Sequence, residues 1–169
     1  YSHLYDIPST GLRFFTVYGP MGRPDMAYFT FTDKYFKGEP IKIYNNGDFE
    51  NDMYRDFTYI DDIVEGVLCV LNKPPGAYSP KHHVLNIGNN KPEKLMFFIE
   101  TLEKCLSRSL EKTVEFKKIH DHIKPGDVHK THASTDMLES FIGFKSKTSI
   151  HVGLQRFTDW YIVYYNIVK

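Results

Sequence analysis

The chain has 169 residues, with 21 basic and 21 acidic side chains and therefore no formal net charge at pH 7. This length can bury a sizeable core, and contents of 41% hydrophobic and 15% aromatic residues exclude a disordered chain. Balanced charge excludes general electrostatic attraction to nucleic acid or an anionic membrane, so any recognition of anions must be local.

Helix and strand patterns alternate along the chain without a repeat or a low-complexity linker, which predicts a single α/β unit over residues 1–169. After a helix end before Pro8, β-rich runs predict strands at 10–15, 41–44, 55–60, 84–87 and 113–119. A turn is predicted at 17–20, and another at the Asn-Asn-Gly-Asp segment 45–48.

Helices are predicted from apolar residues at helical spacing that follow capping side chains. The predicted caps are Asp25, Asp61 or Asp62, and Ser149. Gly38 is expected to end the first of these helices, and a further helix is predicted after the turn at 88–90. In the last helix, the stripe expected to be core is Ile150, Leu154, Phe157, Tyr161 and Tyr164.

Neither cysteine, Cys69 or Cys105, lies in a C-x-x-C motif, and two cysteines are too few for a disulfide-stapled scaffold. Reduced thiols are therefore expected. No apolar run is long enough to span a membrane, and the sequence shows no signal peptide. These features predict a cytoplasmic protein without a membrane partner.

The segment 120–135 is polar and irregular, which predicts a binding loop. It contains two histidine pairs, His120 with His122 and His129 with His132. Neither pair has i, i+4 spacing or a nearby cysteine, so we interpret them as solvated surface and predict no metal site.

Several catalytic motifs are missing from the sequence. The nearest approach to the dinucleotide motif G-x-G-x-x-G runs from Gly19 to Gly22, lacks a third glycine and contains Pro20, so it predicts a turn. There is no G-x-S-x-G elbow. Adjacent aspartates on a helix diverge, so Asp61 and Asp62 are interpreted as caps and no catalytic residue is predicted.

Arg23, Arg55 and Asp127 form the stronger pattern, because all three are placed at loop edges. The planar guanidinium matches phosphate or carboxylate oxygens and makes charge-assisted hydrogen bonds. A diphosphate is a plausible ligand for such a set, although a surface ion pair is the commoner role of a single arginine.

Residues 12–32, LRFFTVYGPMGRPDMAYFTFT, closely resemble the segment R-F-F-T-V-Y-G-P-x-G-R-P-D-M of bacterial and plant UDP-glucuronate 4-epimerases. The similarity continues through YNNGD, RDFTYIDDIVEGV, LNIGNN, PGDV and IGFKSKTSIHVGLQRFTDWY. RDF-x-Y-x-D-D marks nucleotide-sugar enzymes broadly, whereas Thr16 with GRPDM resembles the glucuronate epimerases. The resemblance implies the C-terminal, substrate-binding part of an extended Rossmann-type epimerase, with strands that would complete the parallel sheet of the parent enzyme.

In these enzymes NAD removes a hydride from C4 of the hexose and returns it to the other face of the 4-keto sugar, while a tyrosine takes the hydroxyl proton. The resemblance implies that Thr16 and Arg23 lie near the hexose and its carboxylate. It places Phe15 on the nicotinamide side, as the one cofactor-binding candidate.

The same resemblance implies roles for four residues around the UDP moiety. Arg55 would hold the diphosphate, Ile43 and Tyr44 would border the uracil, and Asp127 would accept hydrogen bonds from the ribose hydroxyls. The residue chemistry agrees, since a donor faces an anion and a carboxylate faces hydroxyls.

The family also has a glycine-rich NAD loop and a catalytic Tyr-x-x-x-Lys ahead of the segment that opens this sequence, and neither is present. Tyr165 and Lys169 have that spacing, but we interpret it as chance. We therefore expect the N-terminal NAD-binding Rossmann part to be absent and the chain to be inactive alone. NAD is not expected to bind this chain tightly. The missing half would be its partner, and exposed strand edges would favour self-association.

Three further points stay open in the sequence. Segment 49–52, FEND, is additional to the family spacing before RDF, and we expect it to lengthen a loop rather than to displace Arg55. A non-catalytic pseudoenzyme or interaction module is an alternative function. A related UDP-sugar dehydratase, a decarboxylase or a UDP-glucose 4-epimerase is another.

Overall fold

The structure is a computed structural model that describes residues 1–48, 52–76 and 80–168. Contacts divide the chain into two units, each made of three segments. Unit 1 comprises Tyr1–Val17, Asp56–Pro92 and His132–Thr148, and unit 2 comprises Tyr18–Arg55, Glu93–Thr131 and Ser149–Lys169.

The elements alternate between helices and strands, as the sequence predicted. In chain order they are α1 (Ser2–Tyr5), β1 (Ser9–Phe14), β2 (Thr16–Tyr18), α2 (Ala27–Lys37), β3 (Ile41–Tyr44), β4 (Tyr54–Arg55), β5 (Phe57–Tyr59), α3 (Ile60–Leu71), β6 (His82–Ile87), β7 (Glu93–Lys94), α4 (Leu95–Leu110), β8 (Lys118–Asp121), α5 (Asp136–Ile142) and α6 (Ile150–Tyr164).

Unit 1 is built on a parallel strand pair. β1 and β6 pair from Ser9 opposite His82 to Phe14 opposite Ile87. Parallel neighbours require a crossover connection, and the segment between these strands contains α3. Leu85 and Ile87 of β6 belong to one apolar cluster, whose other members are Ile63, Val70, Leu138 and Phe144. The parallel pair and the helical crossover are typical of an α/β fold.

Unit 2 is dominated by the packing of α4 against α6. Phe98, Leu102 and Leu106 of α4 are completely buried, and so are Leu154 and Phe157 of α6. Aromatic side chains of α2 join this core. The ring centroids of Tyr28 and Phe157, for example, lie 4.7 Å apart in an edge-on arrangement. The predicted stripe of α6 is therefore core, except for Tyr164, which is 56% exposed.

Two of the predicted helix ends are confirmed. Ser149 caps α6, since its hydroxyl accepts a hydrogen bond from the Val152 amide at 3.4 Å. Gly38 ends α2 with a φ of 70°, a conformation that favours glycine. The turn after β3 also has its predicted form, because Asn46 and Gly47 both have positive φ.

The predicted aspartate caps are wrong. α2 begins after Met26 and α3 after Tyr59, and neither has a side-chain cap. Asp25 instead forms an ion pair with Arg23 at 3.0 Å. The carboxylate of Asp62 is buried in unit 1, where it accepts hydrogen bonds from the amides of Lys147 and Thr148 at 3.2 and 2.9 Å.

Three strand and turn predictions are also corrected. Thr16–Tyr18 forms a short strand where a turn was expected to begin, and the predicted strand 55–60 is broken at Asp56. In the predicted strand 113–119, only the end belongs to β8. Val114 and Phe116 are buried as the alternating pattern required, but their amides donate to the Ser107 hydroxyl and the Glu103 carboxylate. This stretch is thus held by α4 side chains rather than by a neighbouring strand.

Both cysteines are free, as expected. Burial raises the pKa of the Cys105 thiol to about 11, so this group stays protonated at neutral pH. Among residues 1–48, 52–76 and 80–168, no helix combines the length and apolarity needed to cross a bilayer.

A buried aspartate anchors two loops of unit 1. Asp56 is fully buried, and its Oδ1 accepts a hydrogen bond from the Asn89 amide at 2.8 Å. Its Oδ2 accepts one from the Ala133 amide at 2.9 Å. Together with Asp62, this residue explains why the RDFTYIDD segment carries acids: their oxygens satisfy backbone amides of distant loops.

We predict that Gly153→Ala lowers the free energy of unfolding by about 1–3 kcal/mol, as overpacked cores do. A Cβ at position 153 would lie 2.3 Å from the Tyr18 hydroxyl. The clash must outweigh the gain of about 1 kcal/mol in helix propensity. Gly76→Ala is the matched control, because nothing lies within 4 Å of its added carbon. Chemical denaturation measures the free energy of unfolding of both variants. A value for Gly153→Ala equal to that of the wild type would contradict this packing.

We also predict that Asp56→Ala lowers the free energy of unfolding by about 2–4 kcal/mol, because each unsatisfied buried amide costs about 1–3 kcal/mol. Asp61→Ala, at an exposed position in the first turn of α3, should lower it by about 1 kcal/mol at most, since the helix dipole favours a negative charge there by about 0.3–1 kcal/mol. Urea denaturation followed by circular dichroism compares the two. Equal stabilities would show that the Asp56 carboxylate does not anchor the loops.

Candidate functional site

The predicted binding loop connects two small sheets of unit 2. On one side, β3 and β8 pair in parallel, with Tyr44 opposite Asp121. On the other side, the loop meets β4: the Tyr54 amide donates to the His129 carbonyl at 2.9 Å, and the Thr131 amide donates to the Tyr54 carbonyl at 3.2 Å. The loop is thereby fixed at both ends by main-chain hydrogen bonds.

A tight turn from Lys124 to Asp127 forms the middle of this loop. The Asp127 amide donates to the Lys124 carbonyl at 3.0 Å, and Gly126 has a φ of 92°, which a residue with a side chain rarely adopts. The Lys124 ammonium lies 4.6 Å from the centre of the Tyr44 ring. This cation–π contact fixes the turn beside an aromatic face that was predicted to border a base.

Arg55 is half-buried, and main-chain oxygens hold its guanidinium in place. Its Nη1 donates to the Tyr54 carbonyl at 2.8 Å and to the His129 carbonyl at 3.4 Å. Burial lowers the pKa of Arg55, and the charge of Asp127 opposes that shift. The loop thus contacts Arg55 through the His129 carbonyl and Tyr44 through Lys124.

The side chain of Ile43 is completely buried, so only its main chain can border a ligand. The neighbouring Asn45 is also buried, and its Oδ1 accepts hydrogen bonds from the Gly47 amide at 3.1 Å and from the His120 Nδ1 at 2.8 Å. Sequence reasoning did not select Asn45. Its place at the start of a turn was the available signal, because asparagine side chains often bond to the backbone two residues ahead.

Arg23 has the commoner role of a surface arginine. Its side chain is 74% exposed, and both Asp25 oxygens accept from it, at 3.1 Å from Nε and 3.0 Å from Nη2. The surrounding GPMGRPD segment is a turn, as predicted. A Cβ on Gly22 would lie 1.7 Å from the Tyr28 hydroxyl, so this glycine is required by close packing rather than by a bound phosphate.

Phe15 and Thr16 follow the carboxyl end of β1 in unit 1. The Thr16 amide donates to the Asp56 carbonyl at 3.1 Å, and Phe15 lies 3.4 Å from the position of a Cβ on Gly88, which follows β6. Ligands of open α/β sheets bind outside the carboxyl ends of the strands. Phe15 and Thr16 therefore occupy the edge of the parallel pair where such ligands are found.

The described residues do not fit the pyrophosphate of a dinucleotide. Such a group needs glycines where a strand turns into a helix, so that the backbone can approach it. α3 follows β5 directly at Tyr59 and Ile60, and α4 follows β7 directly at Lys94 and Leu95. Neither junction contains a glycine. The glycines between β2 and α2 belong to a turn in which Gly22 packs against the Tyr28 hydroxyl, and we derive no step through NAD on this chain.

Two sequence features extend to residues outside the described part. Of the FEND segment, residues 49–51 are outside it, whereas Asp52 is described and fully buried. Of the Tyr165 and Lys169 pair, Lys169 is outside it, and Tyr165 packs on Tyr161 with ring centroids 4.5 Å apart.

Among the described residues, no group of three or more His, Cys, Asp or Glu side chains could hold a metal ion.

Comparison with known proteins gives relatives that are longer than this chain. Protein CapI from Staphylococcus aureus is 45% identical in an alignment that covers 98% of this chain and 50% of CapI. The probable UDP-glucuronate 4-epimerase of Rhizobium meliloti (strain 1021) is 42% identical in an alignment that covers 95% of this chain and 48% of that protein. The chain thus spans about half the length of the curated relatives it matches.

A solved structure shows the same fold. The UDP-glucuronic acid 4-epimerase from Bacillus cereus, in complex with UDP-glucuronic acid and NAD, matches with a TM-score of 0.78 and 29% identity over 93% of this chain and 46% of that chain. The α/β fold and the resemblance to these epimerases, both predicted from the sequence, are confirmed. The family described as NAD dependent epimerase/dehydratase matches residues 1–88, more than half of the 169 residues. The chain belongs to the NAD dependent epimerase/dehydratase family.

Proposed function

We propose that residues 1–169 are the nucleotide-sugar-binding portion of a UDP-glucuronate 4-epimerase. The NAD-binding Rossmann part would belong to the half of the relatives that this chain does not cover. The observation that carries the proposal is the loop 122–131, which brings Lys124 to the Tyr44 ring and the His129 carbonyl to the Arg55 guanidinium, with the charge of Asp127 acting on Arg55. These residue types suit a base, a diphosphate and a ribose.

At the nucleotide end, Arg55 would bind the diphosphate. Two carbonyls already orient its planar group, so little side-chain freedom is lost when an oxyanion binds. Partial burial reduces competition from water and strengthens charge-assisted hydrogen bonds. Asp127 would then accept hydrogen bonds from the ribose, while the Tyr44 ring and the main chain of Ile43 would border the uracil.

At the sugar end, Arg23 and Thr16 would contact the hexose and its carboxylate, with Phe15 on the nicotinamide side. The exposed pair of Arg23 with Asp25 supports this role, because exposed ion pairs contribute only about 0–1 kcal/mol. A sugar carboxylate can therefore replace Asp25 as the partner of Arg23 at small cost. The matched relatives include proteins named for UDP-glucuronate.

Epimerisation at C4 requires a hydride acceptor, and the described residues do not fit a dinucleotide. The chain would therefore bind and orient a UDP-sugar without converting it. Residues outside this chain would supply the proton acceptor and hold the cofactor. The cytoplasmic location and the self-association inferred from the sequence remain predictions.

We predict that Arg55→Ala raises the Kd for UDP about tenfold or more. A hydrogen bond to a charged group contributes about 1.5–3 kcal/mol, and 1.4 kcal/mol corresponds to a factor of ten. Arg108→Ala is the control, since Arg108 is an exposed arginine near the end of α4 in the same unit. Titration calorimetry at fixed salt measures both, and equal affinities for all three proteins would refute the role of Arg55.

We further predict that the chain, incubated with UDP-glucuronate and NAD, forms no UDP-galacturonate. Ion-exchange chromatography of the nucleotide sugars provides the measurement. The same preparation must bind UDP, so that an unfolded sample is not mistaken for an inactive one. An NAD-dependent product peak would show that the chain is a complete catalyst and would overturn this part of the proposal.

A further inference from the structure

Asp52 holds the first turn of α4 through its side chain. The residue is fully buried, and its Oδ2 accepts a hydrogen bond from the Met96 amide at 2.8 Å. Its Oδ1 accepts one from the amide of Met53, also at 2.8 Å. Met96 is the second residue of a 16-residue helix, where backbone amides lack partners within the helix and the helix dipole favours a negative charge.

The residues between Asp52 and Arg55 are fixed to the same helix start. The Leu95 amide donates to the Met53 carbonyl at 2.8 Å. Tyr54 and Arg55 then pair antiparallel with Lys94 and Glu93 of β7. Hydrogen bonds thus fix the segment from Asp52 to Arg55, the residue proposed to bind the diphosphate, to β7 and the start of α4.

α4 gives these hydrogen bonds a rigid support, because Phe98, Ile99 and Leu102 in its first two turns are completely buried. Arg55 orients its guanidinium through the carbonyl of Tyr54, one residue earlier. A shift in where the chain enters β4 therefore displaces the guanidinium directly. Lys94, the N-cap residue of α4, makes no side-chain cap, so Asp52 supplies the capping oxygen from a distant part of the sequence.

We infer that Asp52 is a positioning residue for Arg55: its carboxylate fixes β4 to the start of α4 and so sets the place of the guanidinium at the diphosphate. This inference rests on the proposed function for the role of Arg55. Two acceptor oxygens are required, since two backbone amides point at the group. Asparagine keeps one acceptor and turns an NH2 group toward the other amide, so Asp52→Asn breaks one of the two bonds while nearly preserving shape.

The test compares Asp52→Asn with Asp62→Asn. Both aspartates are buried and accept from two backbone amides, but Asp62 anchors residues 147 and 148 of unit 1. We expect Asp52→Asn to raise the Kd for UDP about three- to tenfold, the range of one hydrogen bond. Asp62→Asn should leave the Kd unchanged, because both amides donate to one Asp62 oxygen, which asparagine retains. Should Asp52→Asn not fold, Asp52→Ser, which retains one capping oxygen, takes its place.

A double-mutant cycle separates positioning from general destabilisation. In an Arg55→Ala background, Asp52→Asn should have no further effect on UDP affinity, because the group that it positions is gone. The inference is overturned if Asp52→Asn binds UDP like the wild type, or if it weakens binding equally in both backgrounds.

A ligand-free measurement distinguishes failure of the inference from failure of the proposed function. If the wild type does not bind UDP, or if Arg55→Ala binds it equally well, the proposed function fails. Amide hydrogen exchange then tests the Asp52 anchor by itself. The Leu95 and Tyr54 amides should exchange faster in Asp52→Asn than in Asp62→Asn. Unchanged exchange at both amides would overturn the anchor.

Discussion

Backbone amides that donate to buried carboxylates hold the loops of this chain in place. Asp56 and Asp62 do so in unit 1, and Asp52 does so in unit 2. A buried carboxylate is costly unless hydrogen bonds replace its water, and each of these acids accepts at least two. Their positions therefore constrain the loops strongly, since moving a loop leaves both a charge and an amide without a partner. This constraint reaches the candidate site through Arg55, which lies between Asp52 and Asp56 in the sequence.

The proposed recognition of an anion depends on the local placement of charge. With 21 basic and 21 acidic residues the chain has no general electrostatic field, yet Arg55 is half-buried, is oriented by two carbonyls and is influenced by the charge of Asp127. Arg23, in contrast, is exposed and paired within its own turn. Arg55 is thus oriented before a ligand binds, whereas Arg23 would first have to release its weak partner, Asp25.

Sequence patterns located most elements but not their boundaries or caps. The strand before the NNGD turn, the Ser149 cap and the apolar stripe of α6 followed from local spacing. Asp25 and Asp62 had the right residue type for caps, but each has a different partner in the structure. The alternation in residues 113–119 correctly indicated burial of Val114 and Phe116. It could not show that their amides would bond to side chains of α4, because hydrogen-bond partners distant in sequence leave no periodic signal.

The sequence by itself determined the α/β class, the family resemblance and the residue types available for a nucleotide sugar, because these depend on composition, local periodicity and contiguous motifs. Tertiary structure alone decided which of those residues are associated. Lys124 reaches Tyr44, and the His129 carbonyl reaches Arg55, only because one loop is bonded to two separate strands. Tertiary structure also buried Ile43 and made Asp52 the cap of a helix that begins 43 residues later, at Leu95. Contacts across such separations arise from packing and hydrogen-bond satisfaction, which local sequence does not encode.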